Sequence, residues 1–538
     1  MKVLLSNRRL SSLELLFIFG TALVPAFFDH PYRINLFLAW EGSYRMMLGQ
    51  IPYQDFGTPV GYVFWILPAL FFKIFGPQVF TLIKAQIFIN LISNITFRAL
   101  LIELRTEPIV RFLTLVVYCL SFSLFNYWPW YNHLVFVVEI IGILFLIKAF
   151  DRNGNRKFIC VAISAFFIAL TFLTKQDTGG LSLLICLALL LYGSLTQKSI
   201  HLLLTFLASY FISMVLLVVP FLSYDFSYWF NFGQFPHYSR VNLFDVLSAF
   251  MGGSEWIKFY LIIIVIIILS QEDVFSDYFA NHKNVLFLLL TLGILGQASV
   301  IQVTSYTPVD GNIYFHSFTF AFILSYYRWK SHHYHVTSII LLFTLVFLWW
   351  SGVYWNRFLM ARVAPLLESS SVKEEVISKE SYILKLDTVS SDRSDWIVPD
   401  LHTFDHIKLP NETVEGIIKL KSLPIVREKE SELSVLNMSE LTPLAYELGY
   451  TLEIGEDIPL WYHQGVSFFE REVNLYCEKI NNIEYDLILF EDIPDLNQFY
   501  PYEVRDCIQG SGNYKMIDRF LAPRIPEFAY IEVYVKIK

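Results

Sequence analysis

Eleven apolar runs occupy roughly the first two thirds of this chain, near 11–28, 77–97, 112–127, 133–150, 158–174, 180–196, 200–221, 258–270, 284–301, 313–327 and 336–354. A bilayer's hydrocarbon core is about 30 Å thick and takes about 20 apolar residues per crossing helix. Backbone in lipid must satisfy its own polar groups, so such a series folds as a helical bundle. With 55% hydrophobic and only 16% charged residues, the chain lacks the polar surface of a soluble globule. Residues 1–355 are therefore read as a polytopic all-α membrane domain.

Loop charge sets the expected orientation. With the N-terminus inside, the inner segments hold 14 basic residues, among them Arg8, Arg9, Arg98, Arg105, Arg111, Arg152, Lys157 and Lys283. The outer loops hold six: Arg33, Arg45, Lys73, Lys175, Arg240 and Lys258. Lysine and arginine accumulate in inner loops, which predicts N-terminus in and C-terminus out. The segment 60–76, VGYVFWILPALFFKIFG, is apolar but punctuated by Pro68 and Gly76. Counting it as a span would reverse every later loop, so it is read as an interfacial helix. The first run follows Lys2, Arg8 and Arg9 and reads as an uncleaved first span rather than a signal peptide.

After Trp355 the composition changes. A polar linker, 356–395, leads into an extracytoplasmic α/β domain over 396–538. Its strand-like FDHIKL, SVLNM, YDLILF and IEVYVKI alternate with helical TVEGIIKLKSL and SFFEREVNLYCEKI. Cys477 and Cys507 lie there and can pair in an oxidising compartment, although two cysteines carry no framework signal. Cys119, Cys160 and Cys186 fall in apolar segments as packing residues. The net charge of −8 leaves no basic stripe for phosphates, which excludes a nucleic-acid partner. No glycine-rich nucleotide loop or metal-ligand spacing is present, so no cofactor is implied beyond the option of a divalent cation.

The loop between the first two spans, residues 29–76, holds three carboxylates, Asp29, Glu41 and Asp55, as candidate catalytic acids or bases. Bland alternatives stand beside each. All three serve equally as solvated loop charges. Arg45 follows Glu41 by four residues, which suits a structural ion pair on an expected helix 31–48. Asp29 precedes that helix and suits an N-cap, with Pro31 in the first turn. At the outer end of a later span, LTKQDTGG offers Lys175, Gln176 and Asp177; the alternative for Lys175 is snorkelling to the interface. Trp128, Trp130 and Tyr131 suit sugar stacking or an aromatic belt. Asn132, His133, Asp310, Asn312, Tyr314 and His316 are further candidates for substrate contact, and Glu139 inside a span is a functional hint by default.

The pattern EGSYRMMLGQIPYQDFGTPVGYVFWILPALFFKIFG, followed by LTKQDTGG, resembles the first outer loop and a later span end of the C-type (GT-C) glycosyltransferases, relatives of protein O-mannosyltransferases and lipid A aminoarabinose transferases. The resemblance covers residues 10–225. It implies a GT-C-like membrane domain and transfer of a sugar from a polyprenyl-phosphate carrier to a glycan, lipid or protein acceptor, on the outer face of a bacterial cytoplasmic membrane. Asp29, Glu41 and Asp55 would then be the catalytic carboxylates. Lys175, Gln176, Arg45 and Arg240 would bind the donor phosphate, and Asp177 with the six residues above would bind substrate. One position departs from the family: where it places an acidic pair, about 14 residues before the glycine matching Gly49, this chain has Asn35. A lipid-linked oligosaccharide polymerase or ligase shares the scaffold. A transporter or flippase is disfavoured, because no internal repeat is visible and the charges cluster in outer loops.

Overall fold

The computed structural model describes residues 7–124, 126–224, 228–229, 246–247, 250–251, 255–269, 281–304, 313–325, 340, 395–429, 432–463, 468–493, 500–524 and 529–537. Among these, seven helices are long and apolar enough to cross a membrane: Asn7–Phe27, Val79–Glu103, Tyr131–Asp151, Asn155–Thr174, Gln176–Gln197, His201–Phe221 and His282–Ile301. Three more expected spans fall on shorter apolar helices, Pro108–Ser123, Trp256–Ile268 and His316–Ser325. The expected span at 336–354, apart from residue 340, and the linker, apart from residue 395, lie outside the described residues.

The helices are α1 (Asn7–Leu23), α2 (Leu36–Met47), α3 (Val63–Phe75), α4 (Val79–Glu103), α5 (Pro108–Tyr118), α6 (Tyr131–Asp151), α7 (Asn155–Thr174), α8 (Gln176–Gln197), α9 (His201–Val218), α10 (Glu255–Leu269), α11 (His282–Thr304) and α12 (Ile313–Ser325). At 13 residues α3 is about 20 Å long, too short to cross unaided, as an interfacial helix should be. It packs on α2, where Trp65 Nε1 donates to the Leu38 carbonyl at 2.7 Å. The expected helix 31–48 begins only at Leu36, and Asp29 does not cap it. His30–Pro31 is held as a strand, and Asn35, at the N-cap, takes a left-handed φ of 64°.

α5 runs into a π-turn, Cys119–Ser123, whose wider winding frees backbone groups inside the bundle. α4 supplies their partners. Asn90 Nδ2 donates to the carbonyls of Ser123 (3.3 Å) and Asn126 (3.0 Å), Gln86 holds Asn90 (2.8 Å), and Asn94 reaches the Ser123 hydroxyl (2.7 Å). At the end of α4 near Glu103, the fully buried Glu14 binds Arg98 (2.7 Å) and Arg111 (2.8 Å), stapling α1 to α4 and α5.

The opposite end of the bundle carries two sheets. In the first, β1 (His30–Pro31) pairs in parallel with β3 (Ile407–Pro410), and β2 (Trp396–Ile397) pairs antiparallel with β3. The second has the order β4-β5-β7-β6, with β4 (Val435–Met438) parallel to β5 (Leu487–Asp492), and β6 (Tyr514–Leu521) and β7 (Tyr530–Lys536) antiparallel. All six residues of β5 are buried, as an inner strand requires. Helices α13 (Asn411–Ser422), α14 (Pro424–Lys429), α15 (Leu444–Leu448), α16 (Phe469–Asn481) and α17 (Tyr502–Gly510) complete this region. The four expected strands lie on β3, β4, β5 and β7; β6 was not anticipated, because only one of its inner residues, Phe520, is buried.

The sheets grip the first loop. The N–H of His30 donates to the His406 carbonyl and that of Tyr32 to Lys408, both at 3.0 Å. Gly57 exchanges bonds with Ile458 (2.8 Å) and Leu460 (2.9 Å), and the N–H of Gly455 donates to the Asp55 carbonyl (2.9 Å). Beneath lies a buried ionic cluster in which Arg524 binds Glu440 and Glu491, each at 2.9 Å. Glu440 in turn accepts the Asn35 N–H (2.9 Å), and its carbonyl accepts the Tyr32 hydroxyl (2.6 Å).

A disulfide joins Cys477 on α16 to Cys507 on α17 across 30 residues. Closing a loop of that length restricts the unfolded chain by about 3–4 kcal/mol in the chain-entropy account. The variant Cys477→Ser/Cys507→Ser should therefore unfold in the sheet region at lower denaturant concentration, read by limited proteolysis. Parent-like protection would remove the disulfide from the stabilising interactions of this region.

Candidate active site

The two sequence motifs meet at the sheet-bearing end of the bundle. α7 closes at Thr174, and Lys175 leaves it in an extended conformation to become the N-cap of α8. Gly61, from FGTPVGY, lies directly against that junction: a Cβ there would sit 1.9 Å from the Leu173 carbonyl oxygen. Gly179, from LTKQDTGG, lies against the backbone of Phe172, where a Cβ would come within 2.2 Å of its Cα. Both glycines thus permit backbone-to-backbone approach, and Lys175 is fixed between the first loop and α8. Asp177 Oδ1 accepts the Thr178 N–H at 2.6 Å, closing the first turn of α8.

Around Lys175 the polar groups converge. Its Nζ is 3.6 Å from Asp177 Oδ1 and 5.9 Å from the ring centre of Tyr131, with the side chain 14% exposed. Burial lowers the Lys175 pKa, and the carboxylate of Asp177 opposes that shift. Tyr131 stacks beside Trp130, whose ring carries the guanidinium of Arg33 at 5.4 Å. His133 lies within the electrostatic reach of both Arg33 and Lys175. Two buried atoms here, Asn132 Oδ1 and His133 Nδ1, have no hydrogen-bond partner among the described residues. Buried polar atoms are normally paired, so two orphans beside two cations mark a place where a polar ligand would complete the bonding. Arg33, Lys175 and Asp177 sum to one positive charge.

The remaining expected residues are distributed otherwise. Asp29 pairs with His406 (Oδ1 to Nδ1, 2.9 Å) with 40% of its side chain exposed. The neighbouring His30 packs at a tilt against Tyr127 (5.2 Å) and edge-on against Trp128 (6.0 Å), so Asp29 adjoins in sequence a residue held by the aromatic segment that carries the Arg33 contact. Glu41 and Arg45 form the i,i+4 ion pair at 2.8 Å, almost fully buried. Burial raises the Glu41 pKa, against the pull of Arg45. Arg45 also donates to Gln50 (3.0 Å) and to the Glu453 carbonyl (2.7 Å), and the pair lines a small cavity with Asn437, Tyr450 and Tyr462 of the sheet region. Asp55 accepts the Ile51 N–H (2.7 Å) as a turn residue. Gln176 donates to the Trp229 carbonyl (2.8 Å). His316 bonds Tyr260 (2.8 Å) between α10 and α12. Arg240, Asp310, Asn312 and the side chain of Tyr314 lie outside the described residues. Among the described residues no cluster of three metal-ligating side chains occurs.

Arg33 was not anticipated as a site residue. Its only sequence signal is a cation in the first loop, two residues before the departure at Asn35.

The two glycines make a paired expectation. Gly180 has open space around it, so Gly180→Ala should hold or raise the melting temperature in detergent, alanine being the better helix former by up to about 1 kcal/mol. Gly179→Ala must push α8 off α7 and should lower it. Equal effects would mean that the close approach at Gly179 is not used.

No protein-family model matches the sequence, and no curated protein does. Among solved structures, ArnT from Cupriavidus metallidurans in the apo state aligns over 97% of each chain at 10% identity, with a TM-score of 0.51. The same protein bound to undecaprenyl phosphate aligns over the same shares with a TM-score of 0.45. At this identity the likeness is one of architecture: the chain has an ArnT-like fold, an apolar helical bundle with an added sheet region.

Proposed function

We propose that this protein is a membrane glycosyltransferase that moves a sugar from a polyprenyl-phosphate carrier to an acceptor, with the polar cluster around Lys175 as the donor-phosphate site. The observation that carries the reading is the convergence of Arg33, Lys175 and the orphaned atoms of Asn132 and His133 at the end of an apolar bundle. One net positive charge matches a phosphodiester, which carries one negative charge, better than a diphosphate. The fold agrees with that of ArnT, a protein solved with undecaprenyl phosphate bound.

In the proposed reaction the acceptor oxygen attacks the anomeric carbon, the bond from that carbon to the phosphate oxygen breaks, and the acceptor proton passes to a carboxylate. The departing phosphate gains a charge as the sugar leaves. Lys175 and Arg33 stabilise that charge, with His133 donating from Nδ1 in the tautomer that carries the proton there, while Asn132 Oδ1, an acceptor, suits a hydroxyl of the sugar. Bound phosphate adds an anion beside Lys175 and so favours its ammonium form against the cost of burial. Asp29 is the proposed base: it has solvent access and adjoins in sequence a residue held by the aromatic segment, whereas Glu41 is held by Arg45 and Asp55 by its own turn.

The same reading places the sheet-bearing end outside the bacterial cytoplasmic membrane. Inner-loop basic residues support that orientation, and so does a disulfide, which persists in oxidising compartments.

The test is binding and transfer by purified protein with melting temperature matched to the parent. Lys175→Gln should weaken undecaprenyl-phosphate binding at least about tenfold, or 1.4 kcal/mol. Lys175→Arg should also impair transfer, because a planar guanidinium does not reproduce a point ammonium. Asp29→Asn should leave binding intact and lower turnover by about 10² to 10⁴. Unchanged affinity in both lysine variants would return Lys175 to an interfacial anchor.

A further inference from the structure

Glu139 is fully buried on α6, and the reaction above gives it no part. Its Oε1 accepts a hydrogen bond from Gln297 Nε2 on α11 at 2.9 Å. The same amide reaches Ser182 Oγ (3.2 Å) and the Thr178 carbonyl (3.4 Å) on α8, and Ser182 Oγ donates to that carbonyl at 2.7 Å. None of the four residues is more than 3% exposed. An ionisable residue at such a place in an apolar helix is expensive to keep, and such residues mark function more often than packing.

What this network touches decides its role. Thr178 is the residue whose N–H Asp177 holds, and Asp177 is the residue that faces Lys175. The bonded path therefore runs from Glu139 through Gln297 and Thr178 to the Lys175–Asp177 pair. At its other end, Glu139 follows Asn132 by seven residues, two turns of α6, which puts both on one helix face about 10 Å apart along the axis. α11 thus bridges the two helices that carry the polar cluster, at a level just below it. Separately, Gly293 of α11 lies against Ile185 of α8, where a Cβ would come within 3.0 Å, so the two helices are already at close range.

We infer that Glu139 and Gln297 are positioning residues: through the first turn of α8 they set the Lys175–Asp177 pair at its working distance from Asn132 and His133. The inference rests on the reading of the polar cluster as the donor-phosphate site. Neither residue contacts the ligand.

Undecaprenyl phosphate in detergent, with the full-length protein, is the probe. Gln297→Met removes the amide donor with little change of volume and should weaken binding about tenfold or more, the scale seen when a partner behind a ligand is lost. Glu139→Gln keeps an acceptor oxygen for Gln297 and should bind within about twofold of the parent, inside the scatter expected where the interaction is retained. The double variant Glu139→Leu/Gln297→Leu replaces the polar group by an apolar pair. It should hold or raise the melting temperature and still bind weakly, whereas a merely structural network predicts lost stability with parent affinity. Lys175→Gln is the control. If it weakens binding while Gln297→Met and the double variant bind like the parent, the positioning role is overturned and the donor-site reading survives. If Lys175→Gln itself binds like the parent, the donor-site reading fails and this inference with it. A loss in Glu139→Gln equal to that of the double variant would also overturn positioning, since the charge and not the hydrogen bond would then be what matters.

Discussion

The backbone of the first loop is not satisfied by the loop itself, and the site depends on how that shortfall is met. Residues 29–62 contain a two-residue strand, a helix and turns, with main-chain groups left over at His30, Tyr32, Asp55 and Gly57. A buried N–H or carbonyl without a partner costs about as much as a lost hydrogen bond, so each of these must be matched. The sheet region matches them, through His406, Lys408, Gly455, Ile458 and Leu460. The loop is therefore folded between the bundle and the sheets. Arg33 and Gly61, which face the polar cluster around Lys175, are placed by pairings on its other side.

Electrostatics reinforces the same junction. Arg524, Glu440 and Glu491 are at most 1% exposed. A buried ionic cluster is weak evidence of net stability, yet removing one partner strands the others at a cost of about 3–5 kcal/mol. Here the cluster also takes up the Asn35 N–H and the Tyr32 hydroxyl, so it specifies which surface of the loop meets the sheets. The buried Glu41–Arg45 pair acts alike, with Arg45 reaching the Glu453 carbonyl.

Much of the bundle was legible in the sequence, since the length and apolarity of a span are local properties. A short helix near 60–76, too short to cross a membrane unaided, was legible for the same reason, through Pro68 and Gly76. Lys175 and Asp177 were legible as charges beside glycines at a span end. What could not be read was any property made by two distant segments. The start of α2 was misplaced because residues 30 and 31 are held extended by a strand more than 370 residues later. Arg33 became a site residue only through Trp130, and Gly61 mattered only through the carbonyl of Leu173. At Asn35, where an acidic residue was expected, the carboxylate of Glu440 arrives from 405 residues away, though it binds the backbone there.

The account stands on one spatial claim, that the lipid phosphate lies between Lys175 and Arg33 at the sheet-bearing end of the bundle. An experimental structure of the protein with undecaprenyl phosphate tests it directly. Phosphate density is expected about 3–4 Å from Lys175 Nζ, with His133 Nδ1 donating to it. Phosphate density elsewhere on that end, or at the opposite end beside Glu14 and Arg98, would contradict it.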